Sequence, residues 1–242
     1  RAAAGERRGR RDDPHLAGAD AADGGPGGRE RRRRPALFGM SKAAGGLPAL
    51  ACVPVELKGV ARALQDGRSW RDRRFTARAL CGALAEGADI VHIATHHHLV
   101  PGSPTRSFLL LGDGERLPIA GFFSGDFAWA GVDLVFLSGC ETAAGDTAFE
   151  GGDTMAAAFH QAGVADVIAT VWPAADEAAS RLAPRFYREI AGGAPRAEAL
   201  RRAQLALLAG DVEDSGESPS IQGEAMRHPA HWAPFKLFVR GR

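Results

Sequence analysis

Asp133-Leu134-Val135-Phe136-Leu137-Ser138-Gly139-Cys140-Glu141-Thr142-Ala143-Ala144-Gly145 is a short apolar run that stops at Ser-Gly-Cys and opens into small residues. Successive side chains of a strand point to opposite faces, so an uninterrupted apolar run reads as a strand buried on both sides. Such a strand ends by presenting Cys140 to a loop. That is a rigid platform for a thiolate nucleophile, with room for substrate beyond it. Taken alone, the same cysteine also reads as a small core residue, because free cysteines are usually buried.

The pattern repeats on both sides of this run. Residues 36–40, 90–94, 166–171 and 235–239 read as buried strands, with shorter ones at 107–111 and 117–119. Between them lie helical periods. Val53, Leu57, Val60, Ala61 and Leu64 recur at helical spacing, with Pro54 in the first turn and Gly67 as a stop. Helices follow at 76–84, 151–162, 176–190 and 195–208, and residues 68–74 read as a charged loop holding Trp70. Strands alternating with helices predict an α/β fold, a mostly parallel central sheet with helices on both faces. Ligands of such sheets bind outside the carboxyl ends of the strands. His96, Cys140 and Trp172 all fall at that end of their strands, which favours the nucleophile over the core cysteine.

Composition narrows the possibilities. The chain has 242 residues, 45% of them hydrophobic, enough for one domain with a sizeable core. Residues 1–34 hold ten arginines, six acids and a Gly-Pro-Gly cluster, and read as a disordered tail or linker before a domain spanning 35–242. The remainder carries a net charge of −3, so nucleic acid is not expected as a partner except through the Arg-rich tail. Three scattered cysteines form neither a disulfide framework nor a zinc site and fit a reducing, cytoplasmic setting. No run reaches the length of a membrane span, and no secretory signal is visible. The first residue is Arg1, so the chain reads as a piece of a longer protein. His92, His96, His97 and His98 do not read as a metal site. Neighbouring residues of an extended segment face opposite ways, and His92 reads as a satisfied core histidine.

Five segments in order then resemble one family. They are Val91-His92-Ile93-Ala94-Thr95-His96, Leu137-Ser138-Gly139-Cys140-Glu141-Thr142-Ala143, Val171-Trp172-Pro173-Ala174-Ala175-Asp176, Ala199-Leu200-Arg201-Arg202-Ala203-Gln204 and His228-Pro229-Ala230-His231-Trp232-Ala233-Pro234-Phe235. Together they resemble the CHAT family, caspase-like domains related to separase and often found after tetratricopeptide repeats. The resemblance implies a caspase-like three-layer sandwich and a cysteine endopeptidase, latent until activated. His96 resembles the family's general base and Cys140 its nucleophile. Their separation of 44 residues is close to the roughly 50 of caspases. Backbone N–H groups of His97 and Cys140 would form the oxyanion hole, although His97 stands where the family usually has glycine. Asp176 would receive a basic P1 side chain, and Trp172 would wall that pocket. Asp176 also fits a helix N-cap, and Asp153 reads as one. The chemistry implied needs no metal and no cofactor. Its partners would be a protein substrate and an upstream repeat or sensor domain, with the oligomeric state open. The alternative is a scaffold that keeps the fold without turnover.

Overall fold

In the computed structural model, residues 33–100, 103, 105–123, 125–139, 151–210 and 226–241 are described, with the side chains of 151–154 excepted. Residues 33–242 form one unit and residues 1–32 another, the latter outside the described residues. Expectations for the tail and for the Asp153 side chain therefore fall outside them too.

The elements follow in chain order. Strand β1 (Pro35–Gly39) leads to α1 (Val53–Leu64), β2 (Arg68–Arg71), a 3-10 turn (Asp72–Arg74) and α2 (Ala77–Ala85). Then come β3 (Ile90–Ala94), β4 (His97–His98), β5 (Phe108–Leu110), β6 (Arg116–Pro118), a second 3-10 turn (Ile119–Phe123) and β7 (Leu134–Ser138). The chain closes with α3 (Gly151–Ala162), β8 (Asp166–Thr170), α4 (Asp176–Ala191), α5 (Arg196–Ala209), the one-turn α6 (Pro229–Trp232) and β9 (Phe235–Val239).

Six strands make the main sheet in the order β2-β1-β3-β7-β8-β9, all parallel except β9, which runs antiparallel to β8. This is the mostly parallel, doubly covered sheet that the apolar runs predict. The period of two divides each strand between two cores. Phe38, Val91, Ile93, Val135, Leu137 and Val167 pack with Leu80 and Leu84 of α2 and Phe159 of α3. Leu37, Ile90, Leu134, Phe136 and Ile168 pack on the opposite face with α1, α4 and α5. Strands β4, β5 and β6 form a separate antiparallel sheet beside the carboxyl end of β3.

One sequence expectation changes. Residues 68–74 are not all loop, because β2 forms there as an edge strand paired with β1. Its sequence Arg-Ser-Trp-Arg carries no apolar run, since an edge strand exposes most of its side chains. Trp70 alone turns inward and stacks on Phe38 at 4.8 Å. Residues 229–234 begin as a helical turn, capped by the His228 side chain accepting from the Ala230 N–H. Among the described residues no helix is long and apolar enough to cross a membrane.

Candidate active site

The carboxyl ends of β3, β7 and β8 converge. The Thr95 N–H donates to the Ser138 carbonyl and extends the β3–β7 pairing one residue past the strand. Gly139 follows, and no other residue type fits there. A Cβ on it would stand 2.0 Å from the Thr95 carbonyl oxygen. The hydroxyl of Thr170, at the end of β8, donates to the Gly139 carbonyl at 3.0 Å. The backbone that leads into Cys140 is thus gripped from both neighbouring strands. Cys140 itself, the next residue in the sequence, lies outside the described residues. Gly139→Ala is expected to cost at least about 1–3 kcal/mol, because the clash is with backbone and cannot be relieved by a rotamer change. Chemical denaturation of the variant measures it.

His96 is buried, and its Nε2 lies 2.9 Å from the carbonyl oxygen of Pro48. A carbonyl only accepts, so Nε2 carries the proton and, in the neutral ring, Nδ1 carries the lone pair. Nδ1 is buried and has no hydrogen-bond partner among the described residues. The Pro48 carbonyl is the group that orients the His96 ring, a partner the sequence did not reveal. It was not legible because every residue has a carbonyl, and only the fold says which one meets a ring. Pro48 sits on the loop between β1 and α1. There Ala44 and Leu47 pair across a turn whose Gly45 and Gly46 have φ of 58° and 82°.

His97 is also buried, and its Nδ1 packs against Gly139, 3.2 Å from the place a Cβ would take. Burial pushes its pKa down to about 4, and His96 and His98 push in the same direction, so the ring is neutral at physiological pH. The register of β4 on β5 sets His97 opposite Leu109, and the His96 carbonyl accepts from the Leu110 N–H. Those two facts put His97 at a non-hydrogen-bonded position of the ladder, with its N–H directed away from β5. His92 faces the α1/α4 layer, where its Nε2 stands 3.1 Å from Glu56 Oε1 without hydrogen-bond alignment, and the Tyr187 hydroxyl is 3.4 Å from Nδ1. It is a core histidine with an unaligned partner, not a fully satisfied one. No group of three or more metal-ligating side chains occurs among the described residues.

Asp176 begins α4 but does not cap it. The cap position is Ala175, with no side-chain hydrogen bond. Instead Asp176 Oδ2 accepts the N–H of Cys52, at the start of α1, at 2.7 Å. The N-cap expectation is corrected on that geometry. Burial raises the Asp176 pKa to about 6 against the Cys52 hydrogen bonds, and the buried Glu56 carboxylate adds to the rise. Asp176 lines a narrow cleft with Leu50, Ser138, Gly139, Ala174 and Ala179, directly beside the residue that precedes Cys140. The cleft has room for about one water molecule. Trp172 is half-buried and stands outside the residues lining it.

The family model described as the CHAT domain matches residues 11–240. Among solved structures, the chain is similar to the Arg-specific cysteine proteinase gingipain R, at 13% identity and a TM-score of 0.51, covering 86% of this chain and 46% of that one. It is also similar to the complex of Porphyromonas gingivalis RgpB pro- and mature domains, at 11% identity and a TM-score of 0.47, covering 86% and 47%. The chain therefore spans less than half the length of the solved chains it matches, and at these identities the first likeness bears on fold alone. No curated protein matches it in sequence.

Proposed function

Because this chain belongs to the CHAT domain family, we propose that it is a cysteine endopeptidase that cleaves after a basic residue and stays latent until activated. The observation that carries the reading is the His96 ring. It is held at Nε2 by the Pro48 carbonyl, and its buried Nδ1 has no hydrogen-bond partner among the described residues, at the end of the strand that pairs with the one leading into Gly139. A base needs that arrangement: one nitrogen anchored, the other with its lone pair toward the proton it takes.

In this mechanism His96 Nδ1 takes the Cys140 thiol proton, and the thiolate attacks the substrate carbonyl carbon. The oxyanion is held by the backbone N–H groups of His97 and Cys140. A side chain larger than glycine leaves the His97 N–H intact, and the buried ring turns away from solvent. Collapse of the tetrahedral species breaks the C–N bond, and the His96 imidazolium gives its proton to the leaving amine. Water then attacks the thioester, giving up a proton to His96, and the thiolate leaves. No cofactor takes part.

Asp176 supplies the preference for Arg or Lys at P1, its carboxylate accepting a charge-assisted hydrogen bond from the basic side chain. The gingipain named above is Arg-specific, which agrees with a carboxylate that shares a cleft with Gly139, the residue before Cys140 in the sequence. A cleft with room for one water admits no arginine until it widens, and this supports latency. A preceding repeat or sensor domain would supply the trigger. The narrow cleft also favours a second reading, a scaffold that never opens.

The test uses the full chain, with and without its neighbouring sensor protein, against an Arg/Lys peptide library and a thiol-reactive probe. Cleavage after Arg or Lys together with labelling confined to Cys140 is the expected result. The other two cysteines are internal controls. Cys52 is buried, and burial together with Asp126 pushes the half-buried Cys81 thiol up, away from reactive thiolate. A chain that neither cleaves nor labels at Cys140 under any condition is a scaffold.

A further inference from the structure

Asp72 follows β2 with a φ of 52°, the left-handed region that non-glycine residues seldom occupy. Aspartate tolerates that conformation better than most residues, but a glycine would adopt it without cost, so the carboxylate needs its own explanation. Its partners supply one. Oδ1 accepts the Ser41 N–H at 2.7 Å and the Lys42 N–H at 3.1 Å, and the Ser41 hydroxyl lies 2.9 and 3.0 Å from the two oxygens. The Arg71 Nε stands 3.6 Å from Oδ2. All of these except Arg71 belong to the start of the loop that carries Pro48.

That loop is short and braced at every stage. The Met40 N–H donates to the Ala94 carbonyl, two residues before His96. Asp72 then holds Ser41 and Lys42. Ala44 and Leu47 pair across the turn, and Gly45 lies so close to Leu110 that a Cβ would come within 2.6 Å of its Cδ1. Leu110 in turn donates its N–H to the His96 carbonyl. Pro48 comes next and meets the His96 ring. The segment is therefore a strap, with its side-chain anchor at Asp72 and its working group at the Pro48 carbonyl.

We propose that Asp72 is a positioning residue for His96: its carboxylate clamps the strap that holds the Pro48 carbonyl against Nε2–H. It touches neither substrate nor the reacting atoms. The proposal rests on His96 being the base, but the state of the ring can be read without turnover. Asp72→Gly removes the carboxylate while suiting the left-handed backbone, so the fold is expected to survive. Ser41→Ala removes one donor and leaves Asp72 untouched, which covers the case in which the glycine variant fails to fold.

The readout is the imidazole N–H region of the proton spectrum of the full chain labelled with nitrogen-15 histidine, with His96 assigned from a His96→Gln sample. In the parent chain the Nε2 proton, bonded to Pro48, gives a resonance protected from exchange. In Asp72→Gly that resonance is lost to exchange with water, in Asp72→Asn it is largely kept, and in Ser41→Ala it exchanges faster than in the parent. Where the chain turns over, kcat of Asp72→Gly falls about tenfold or more at unchanged KM, the consequence of a misplaced base. An unchanged His96 resonance in folded Asp72→Gly, or in Ser41→Ala if the glycine variant does not fold, overturns the proposal. A parent chain without peptidase activity, but with the resonance present and lost as described, leaves the clamp standing and removes only the assigned chemistry.

Discussion

His96→Ala is expected to lower kcat on an Arg or Lys peptide by about 10²- to 10⁴-fold, the range a positioned general base contributes. KM is expected to move little, because the ring is buried and contributes to proton transfer rather than to substrate contact. Cys140→Ala brings turnover to background, since no covalent intermediate can form. The double variant should be no worse than Cys140→Ala alone, because residues that act as one unit do not lose their effects additively. Steady-state kinetics of the three variants measures this. A His96→Ala chain that keeps parental kcat would remove the ring from the mechanism. His96→Ala leaves the Pro48 carbonyl without its donor, but Pro48 lies at the surface, where water replaces the bond. Lost activity therefore reports chemistry rather than unfolding.

The second large effect concerns Asp176. Asp176→Asn keeps an oxygen to accept the Cys52 N–H and removes the charge, with the second oxygen replaced by an NH2 donor. A hydrogen bond to a charged group is worth about 1.5–3 kcal/mol, so kcat/KM for Arg and Lys at P1 is expected to fall by about 10- to 150-fold. Substrates with a neutral P1 should change little. The pH dependence follows from the same group. With its pKa raised to about 6 by burial, Asp176 is ionised at pH 7 and protonated as pH falls below about 6. The preference for basic over neutral P1 should therefore shrink across that limb in the parent chain and be flat with pH in Asp176→Asn. Expressing the result as a ratio of two substrates cancels any titration they share, including that of the base. Equal preference in parent and variant would place P1 recognition elsewhere.

The success of the sequence reading, and its failures, have one physical origin. Leu134 to Leu137, Ile90 to Ile93 and the run after Asp166 are legible because strands buried on both faces are predominantly apolar, His92 being the polar exception. Chain direction then places His96 and Gly139-Cys140 after the carboxyl ends of neighbouring strands in the sequence reading. Strand β2 was missed because an edge strand has no such burial to record. An acid at a helix start serves as cap or as pocket carboxylate, and only its partner, the Cys52 N–H, excludes the cap.

The sequence by itself determined the layered fold and the buried strands whose carboxyl ends carry His96 and Gly139, because burial is written in residue identity. The tertiary structure alone decided that Nε2 of His96 is anchored and Nδ1 left as acceptor, that Gly139 is pinned between Thr95 and Thr170, and that Asp72 grips the strap bearing Pro48. Those contacts run through backbone carbonyls and N–H groups. Every residue carries the same ones, proline's missing N–H aside, so their pairing is set by the path of the chain and leaves no mark in the order of side chains.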